Sequence, residues 1–248
     1  MNALYAIRDF IIPPRCAGCR TVFAAKYGEK NWLCPECERK WELLKATICP
    51  DCGKMWSACR CAPKVLEKAG ASQLVKLVPY RPKRAVSNNV VLYLKRRRDM
   101  RTFDFVSTQL ARELNVFISK TGLRREDVII TYCPRRRRAK NEYGFDQAQL
   151  IAKSIAKAIE ISCVPLLKRR GFFEGKAQKK LDSSKRADNV KGAFEIAKDA
   201  NVKKKTVLLL DDLVTTGSTM AECARLLKNA GASLVVGVTI ATTEKGEM

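Results

Sequence analysis

Two adjacent carboxylates, Asp211 and Asp212, stand between an apolar run, Val207 to Leu210, and a hydroxyl-rich turn, Thr215-Thr216-Gly217-Ser218-Thr219. The run has the length and character of a strand buried on both faces, as in a parallel sheet. Beyond the turn, Met220, Cys223, Leu226, Leu227 and Ala230 recur at helical spacing, and Gly231 supplies the stop. A turn from the carboxyl end of a strand into a helix aims free backbone N–H groups at one spot, where the helix dipole favours an anion. Glycine admits a phosphate close to the backbone, and the hydroxyls of Thr215, Thr216, Ser218 and Thr219 add short, orientable donors. Carboxylates placed directly before this cradle would repel a second phosphate but accept hydrogen bonds from a diol. One phosphate and one diol at that separation describe a ribose 5-phosphate.

A second chemistry lies at the N-terminus. Of the 11 cysteines, eight fall before Ala62: Cys16 and Cys19, Cys34 and Cys37, Cys49 and Cys52, then Cys59 and Cys61. The first three pairs are CxxC knuckles and the last is a tighter CxC. Zn²⁺ prefers four soft thiolates in a tetrahedron, and each knuckle places two sulfurs on one side of the ion. Two Cys₄ sites result. Sequential pairing (16/19/34/37 and 49/52/59/61) is the simplest, and an interleaved cross-brace is the alternative. A module this short has few aliphatic residues and needs such staples. Histidine is absent from the chain, which excludes Ser-His-Asp and Cys-His catalytic sets and an HExxH zinc site.

The elements that must position these groups can be followed along the chain. Residues 1–62 form the cysteine module, 63–85 a linker and entry strand, and 86–248 the main domain. Ala62 to Ala71 reads as linker, Gln73 to Tyr80 as a strand, Val86 to Lys95 and Phe103 to Ile118 as helices. Val128 to Thr131 is a second apolar strand, running into Tyr132-Cys133-Pro134 and then Arg135-Arg136-Arg137-Arg138. A basic turn at a strand's carboxyl end lies where ligands bind in a doubly wound sheet; its arginines suit a pyrophosphate, and equally any polyanion. Gly144-Phe145-Asp146-Gln147 opens a helix through Ile159, and Cys163 to Leu167 is strand-like. Lys168 to Asn189 reads as a long lid segment. Ser233 to Ile240 completes an α/β, three-layered architecture with four or five parallel strands.

The stretch VLLLDDLVTTGST resembles the phosphoribosyl pyrophosphate (PRPP) motif of type I phosphoribosyltransferases. Together with the cysteine module, GFDQA and the segment QKKLDSSKRADNVKGAF, it resembles the ComF family, phosphoribosyltransferase-like proteins linked to natural competence and DNA uptake. The resemblance implies a type I phosphoribosyltransferase-like parallel sheet with helices on both faces, plus a small N-terminal zinc-ribbon module. It implies that Asp211 and Asp212 hold the ribose hydroxyls, that Thr215, Thr216, Gly217, Ser218 and Thr219 wrap the 5-phosphate, and that Arg135 and Arg136 meet the pyrophosphate, with Mg²⁺ accompanying PRPP. The family usually carries RGFNQ where this chain has Tyr143-Gly144-Phe145-Asp146-Gln147. In 6-oxopurine salvage enzymes an acid near the base stands three residues after the second acid of the motif; here it is Thr215, which argues against that acceptor.

The formal charge is +23, from 48 Lys and Arg against 25 Asp and Glu. Clusters at Lys95 to Arg101, Arg135 to Lys140, Lys168 to Arg170, Lys176 to Lys180 and Lys203 to Lys205 exceed what PRPP requires. Such density favours a phosphate backbone, and single-stranded DNA or another nucleic acid is the expected partner. Competence-machinery proteins are further expected partners. No apolar run is long enough to span a membrane, the N-terminus does not read as a signal peptide, and a cytoplasmic location is expected. Two readings stand: a phosphoribosyltransferase with an unnamed acceptor, or a nucleic-acid-binding competence factor that senses PRPP without turnover.

Overall fold

The computed structural model describes residues 15–23, 32–81, 85–96, 100–135, 144–170 and 190–243. Its centre is a five-stranded parallel sheet built from β1 (Gln73–Pro79), β2 (Val128–Tyr132), β3 (Ser162–Cys163), β6 (Thr206–Val214) and β7 (Leu234–Thr242), in the order β1-β7-β6-β2-β3. A separate antiparallel pair, β4 (Leu167–Arg169) with β5 (Phe194–Ile196), joins the two sides of residues 171–189. The strand-like run from Cys163 to Leu167 is thus split: its first residue ends β3 and its last opens β4. Lys168 and Arg169, read as part of the lid, belong to β4; the lid residues 171–189 lie outside the described part.

Both faces of the sheet are covered, because side chains alternate along each central strand. Leu208 and Leu210 face a core shared with α1 (Pro35–Lys45), α3 (Val86–Arg96), α4 (Met100–Thr121) and α5 (Gln147–Ile159). Val207 and Leu209 face a second core with α2 (Lys64–Lys68), α6 (Ser218–Asn229) and the β4–β5 pair. Gly237 sets how closely the second layer packs: a Cβ there would lie 2.7 Å from Leu74 Cδ1 and 2.8 Å from Met220 Sδ.

The first cysteine hairpin is continuous with the first core. Cys16, Ala17, Cys37 and Trp41 are buried in it, and the Trp41 ring meets Phe105 of α4 edge-on at 4.9 Å between centroids. The second hairpin keeps a small cluster of its own, Cys49, Trp56 and Cys59. The stretch read as linker forms α2, whose Leu66 is fully buried against the sheet.

The strand order reverses between β2 and β6. From β2 the chain crosses through α5 to β3 on one side, and from β6 through α6 to β7 on the other. That reversal leaves a crevice at the carboxyl ends of β2 and β6, the place where open α/β sheets bind ligands.

Candidate functional site

The sequence reading ended the central strand at Leu210. It runs on through both acids to Val214, because β7 extends beside it and pairs Asp211 with Thr239, Leu213 with Ala241 and Val214 with Thr242. On the other flank β2 pairs only as far as Tyr132 opposite Leu210, and its last bond is from the Cys133 N–H to the Leu210 carbonyl at 2.9 Å. The acids therefore stand on a half-paired strand, open toward the crevice.

Successive residues of a strand point to opposite faces, so the two acids have different surroundings. Asp212 is 7% exposed and faces two cations: Lys95 Nζ lies 3.7 Å from Oδ1 and an Arg135 guanidinium nitrogen 3.6 Å from Oδ2. Asp211 is half-buried, and its Oδ1 accepts from the Asp212 backbone N–H at 2.9 Å. Burial, and then the Asp212 charge, push the Asp211 carboxyl up to about 8 against the opposing pull of that N–H, Lys95 and Arg135. Behind the acids Cys133 and Cys223 are buried. A hydrogen bond with the Cys223 thiol, then burial, hold the Cys133 thiol well above its usual range, so it is not a nucleophile.

Lys95 was legible only as one of a cationic run, and its position depends on GFDQ. Asp146 N-caps α5, accepting from Gln149 N at 3.4 Å, a role in which Asp and Asn are equivalent. Gln147 is fully buried, and its Nε2 donates to the Lys95 carbonyl at 3.0 Å. This bond fixes the end of α3, from which Lys95 reaches Asp212. Arg135 is brought to the acids; Arg136, with the rest of the basic turn to Lys140, lies outside the described residues.

The turn after β6 is built as a cradle. Gly217, at φ 81°, is the N-cap of α6 and offers no side chain, so the next N–H groups of the first turn have no side-chain cap, while the Ser218 N–H donates to Thr216 Oγ1 at 3.4 Å. A Cβ at Gly217 would lie 3.3 Å from Val65 Cγ1 and 3.4 Å from Pro63, so α2 backs the turn directly. Thr216 and Ser218 hydroxyls lie 3.0 Å apart, and Thr243 Oγ1 donates to the Thr215 carbonyl at 3.3 Å. Thr215, Thr216, Ser218 and Thr219 are all partly exposed.

The eight N-terminal cysteines gather as two sequential sets, Cys16/Cys19/Cys34/Cys37 and Cys49/Cys52/Cys59/Cys61, each with its sulfurs within 4.8 Å of one another. Tetrahedral Zn–S bonds of about 2.3 Å require sulfurs about 3.8 Å apart, and Cys19 and Cys34 sulfurs lie 3.7 Å apart. Backbone N–H groups point at the sulfurs: Gly18 and Cys34 donate to Cys16 Sγ at 3.3 and 3.2 Å, and Cys61 to Cys59 Sγ at 3.3 Å. Such bonds favour thiolates, the form a metal needs. Burial raises the Cys59 thiol, but the Cys61 N–H, Cys49 and the Lys76 ammonium outweigh it and bring it down to about 7. The donor set fits structural Zn²⁺, which when bound would hold each hairpin closed.

Two domain families match the chain: the phosphoribosyl transferase domain over residues 107–248 and the double zinc ribbon domain over residues 7–68. Competence protein F of Haemophilus influenzae is 32% identical over 89 residues, 36% of this chain and 38% of that protein. DNA utilization protein YhgH of Shigella flexneri is 32% identical over 115 residues, 46% of this chain and 49% of that protein. The chain thus spans less than half the length of either relative. The adenine phosphoribosyltransferase structure from Saccharomyces cerevisiae is 18% identical, with a TM-score of 0.36 over 55% of this chain and 68% of that one. The chain belongs to the phosphoribosyl transferase domain family, and its N-terminal double zinc ribbon makes it a member of the ComF type.

Proposed function

We propose that this protein binds PRPP with Mg²⁺ in the crevice between β2 and β6 and acts in DNA uptake; the names of its relatives speak of competence and of DNA utilization. The observation that carries the reading is the grouping of Asp211, Asp212, Lys95, Arg135 and the open first turn of α6 at one sheet edge. The phosphate would sit on the turn from Thr215 to Thr219. The ribose diol would donate to the acids, and the pyrophosphate would draw Arg135 and Lys95 off Asp212. Oxygen donors of this kind also suit Mg²⁺, which would supply neutralising charge at the pyrophosphate. Arg136 extends the same cationic wall in sequence.

Replacing both acids, Asp211→Asn with Asp212→Asn, is expected to weaken PRPP binding at least about tenfold, near 1.4 kcal/mol. Calorimetric titration of a folded double variant with PRPP and Mg²⁺ measures this. Unchanged affinity would remove the reading. Pyrophosphate release under a panel of acceptors separates a transferase from a protein that senses PRPP without turnover. The second reading, a nucleic-acid-binding competence factor, is favoured by the net charge of +23, far beyond the needs of one PRPP.

A further inference from the structure

A pocket of about 220 Å³ lies between α1 and α4, beside the first cysteine hairpin, and shares no lining residue with the crevice or the phosphate turn. Helix α1 brings Glu38, Trp41 and Glu42 to it, at the three- and four-residue spacings that gather side chains on one face. Helix α4 brings Phe105, Gln109 and Arg112 at the same spacings. Trp41 and Phe105 are buried and supply an aromatic base. Glu38, Glu42 and Arg112 are exposed and Gln109 is half-buried, so the charged groups stand at the mouth. Acids line the α1 side, and a guanidinium and a primary amide line the α4 side.

We infer that this pocket binds a free α-amino acid with an apolar side chain. Its ammonium meets the α1 carboxylates, its carboxylate the α4 donors, and its side chain the aromatic base. Among the described residues Glu38 and Arg112 have no ion-pair partner, although both line this one small pocket. Opposite charges that share a pocket without meeting suit a ligand that carries both. A lone anion would be repelled by the two acids, and a lone cation by Arg112. Glu42 is already engaged by Lys45 at 3.1 Å, which leaves Glu38 as the main acceptor for an ammonium.

The buried ring adds an observation independent of the surface charges. Trp41 is 1% exposed, lines the pocket, and its indole N–H has no hydrogen-bond acceptor. An unmatched buried donor costs about 1–3 kcal/mol, and a ligand carboxylate would supply the acceptor. Arg112 and the Gln109 amide add donors to the same oxygens. Sites for drug-sized ligands run to about 300–1,000 Å³, so the volume points to a smaller molecule. A ligand held between α1 and α4 would also tighten the attachment of the first hairpin to the main core. The inference does not depend on PRPP binding.

The test is calorimetric titration of the zinc-loaded full chain with glycine, alanine, valine and leucine. Two analogues accompany them: isoamylamine, which is leucine without its carboxylate, and 4-methylpentanoate, which is leucine without its amino group. At least one amino acid should bind and raise the melting temperature, and leucine should bind at least about tenfold more tightly than either analogue. Glu38→Gln and Arg112→Gln alter exposed side chains and should leave the ligand-free melting temperature in place, while each weakens amino-acid binding about tenfold. The inference is overturned if none of the four amino acids binds, or if one analogue binds as tightly as leucine. It is equally overturned if an amino acid binds and either folded variant leaves its affinity unchanged.

Discussion

Asp211 and Asp212 are neighbours in sequence with opposite electrostatic situations. Asp212 is held by Lys95 and Arg135 across the crevice. Asp211 looks the other way and is pushed up to about 8 by burial and by Asp212. Because that value lies above the ordinary carboxylate value of 3.8, the protonated form stabilises the fold. This contribution is complete below the ordinary value and is lost as pH rises through about 8. A ribose diol with its accompanying cation favours the ionised carboxylate, so binding expels the proton. PRPP affinity is therefore expected to rise between about pH 6 and pH 8 and level off above. Calorimetry of the native chain and of Asp211→Asn isolates the effect, since the ligand's own ionisations are common to both. A rise of equal size in the variant would assign the pH dependence to the ligand and not to Asp211. Lys95 belongs to the same scale: Lys95→Met should weaken PRPP binding by about threefold or more while leaving the melting temperature nearly unchanged, as its side chain is 32% exposed.

At the level of elements, the two cysteine hairpins are attached differently. The first shares its core with α3 and α4 through Cys16, Cys37 and Trp41, whereas the second holds a satellite cluster. Cys16→Ser should therefore disturb the main domain as well as its own hairpin. Releasing the Trp41 packing alone costs about 3 kcal/mol, a melting-temperature drop of roughly 6–12 °C. Cys49→Ser should shift the main transition less. Differential scanning calorimetry decides this: a separate early transition for Cys16→Ser, with the main one unmoved, would make the first hairpin an independent unit. The same attachments explain what could be read from the residues. The sheet was legible because runs such as Val128 to Thr131 are apolar on both faces. Helix α1 was not, since only Cys37 and Trp41 along it are buried, while Leu43 is exposed and Leu44 only partly covered, which blurs the apolar stripe. Strand β5 has three residues and gains its identity from pairing with β4 across 171–189, a contact no local pattern encodes. The acids appeared to follow the strand because apolar character stops at Leu210; pairing with β7 carries the strand past them. Of the site, the turn and the acids were visible in one motif, while Lys95 required the Gln147 bond, which is tertiary.

Over the whole molecule, cations outnumber acids by 23, and many of the described acids are already neutralised locally. Glu36 pairs with Arg39 and Lys40, Asp127 with Arg124 and Lys205, Glu195 with Arg170, and Glu222 with Arg225. Apart from that of Glu222, whose side chain is buried, such exposed pairs contribute little to stability, but they leave the excess positive charge to act at longer range. No helix among the described residues is long and apolar enough to cross a membrane; the excess of cations makes a polyanion the natural counterpart. Single-stranded DNA is expected to bind with little sequence preference. The logarithm of its affinity should fall linearly with log salt, by about 0.7 per phosphate contacted. Arg96, Arg97 and Arg98 follow Lys95 in the chain, and their side chains lie outside the described residues; neutralising all three should flatten the slope by up to about two units. PRPP affinity should hold, since Lys95 and Arg135 remain. Titrating a labelled oligonucleotide at several salt concentrations, alongside PRPP calorimetry on the same variant, separates the two anion sites. A slope indifferent to those arginines, or no binding at low salt, would return the excess charge to a solvated surface.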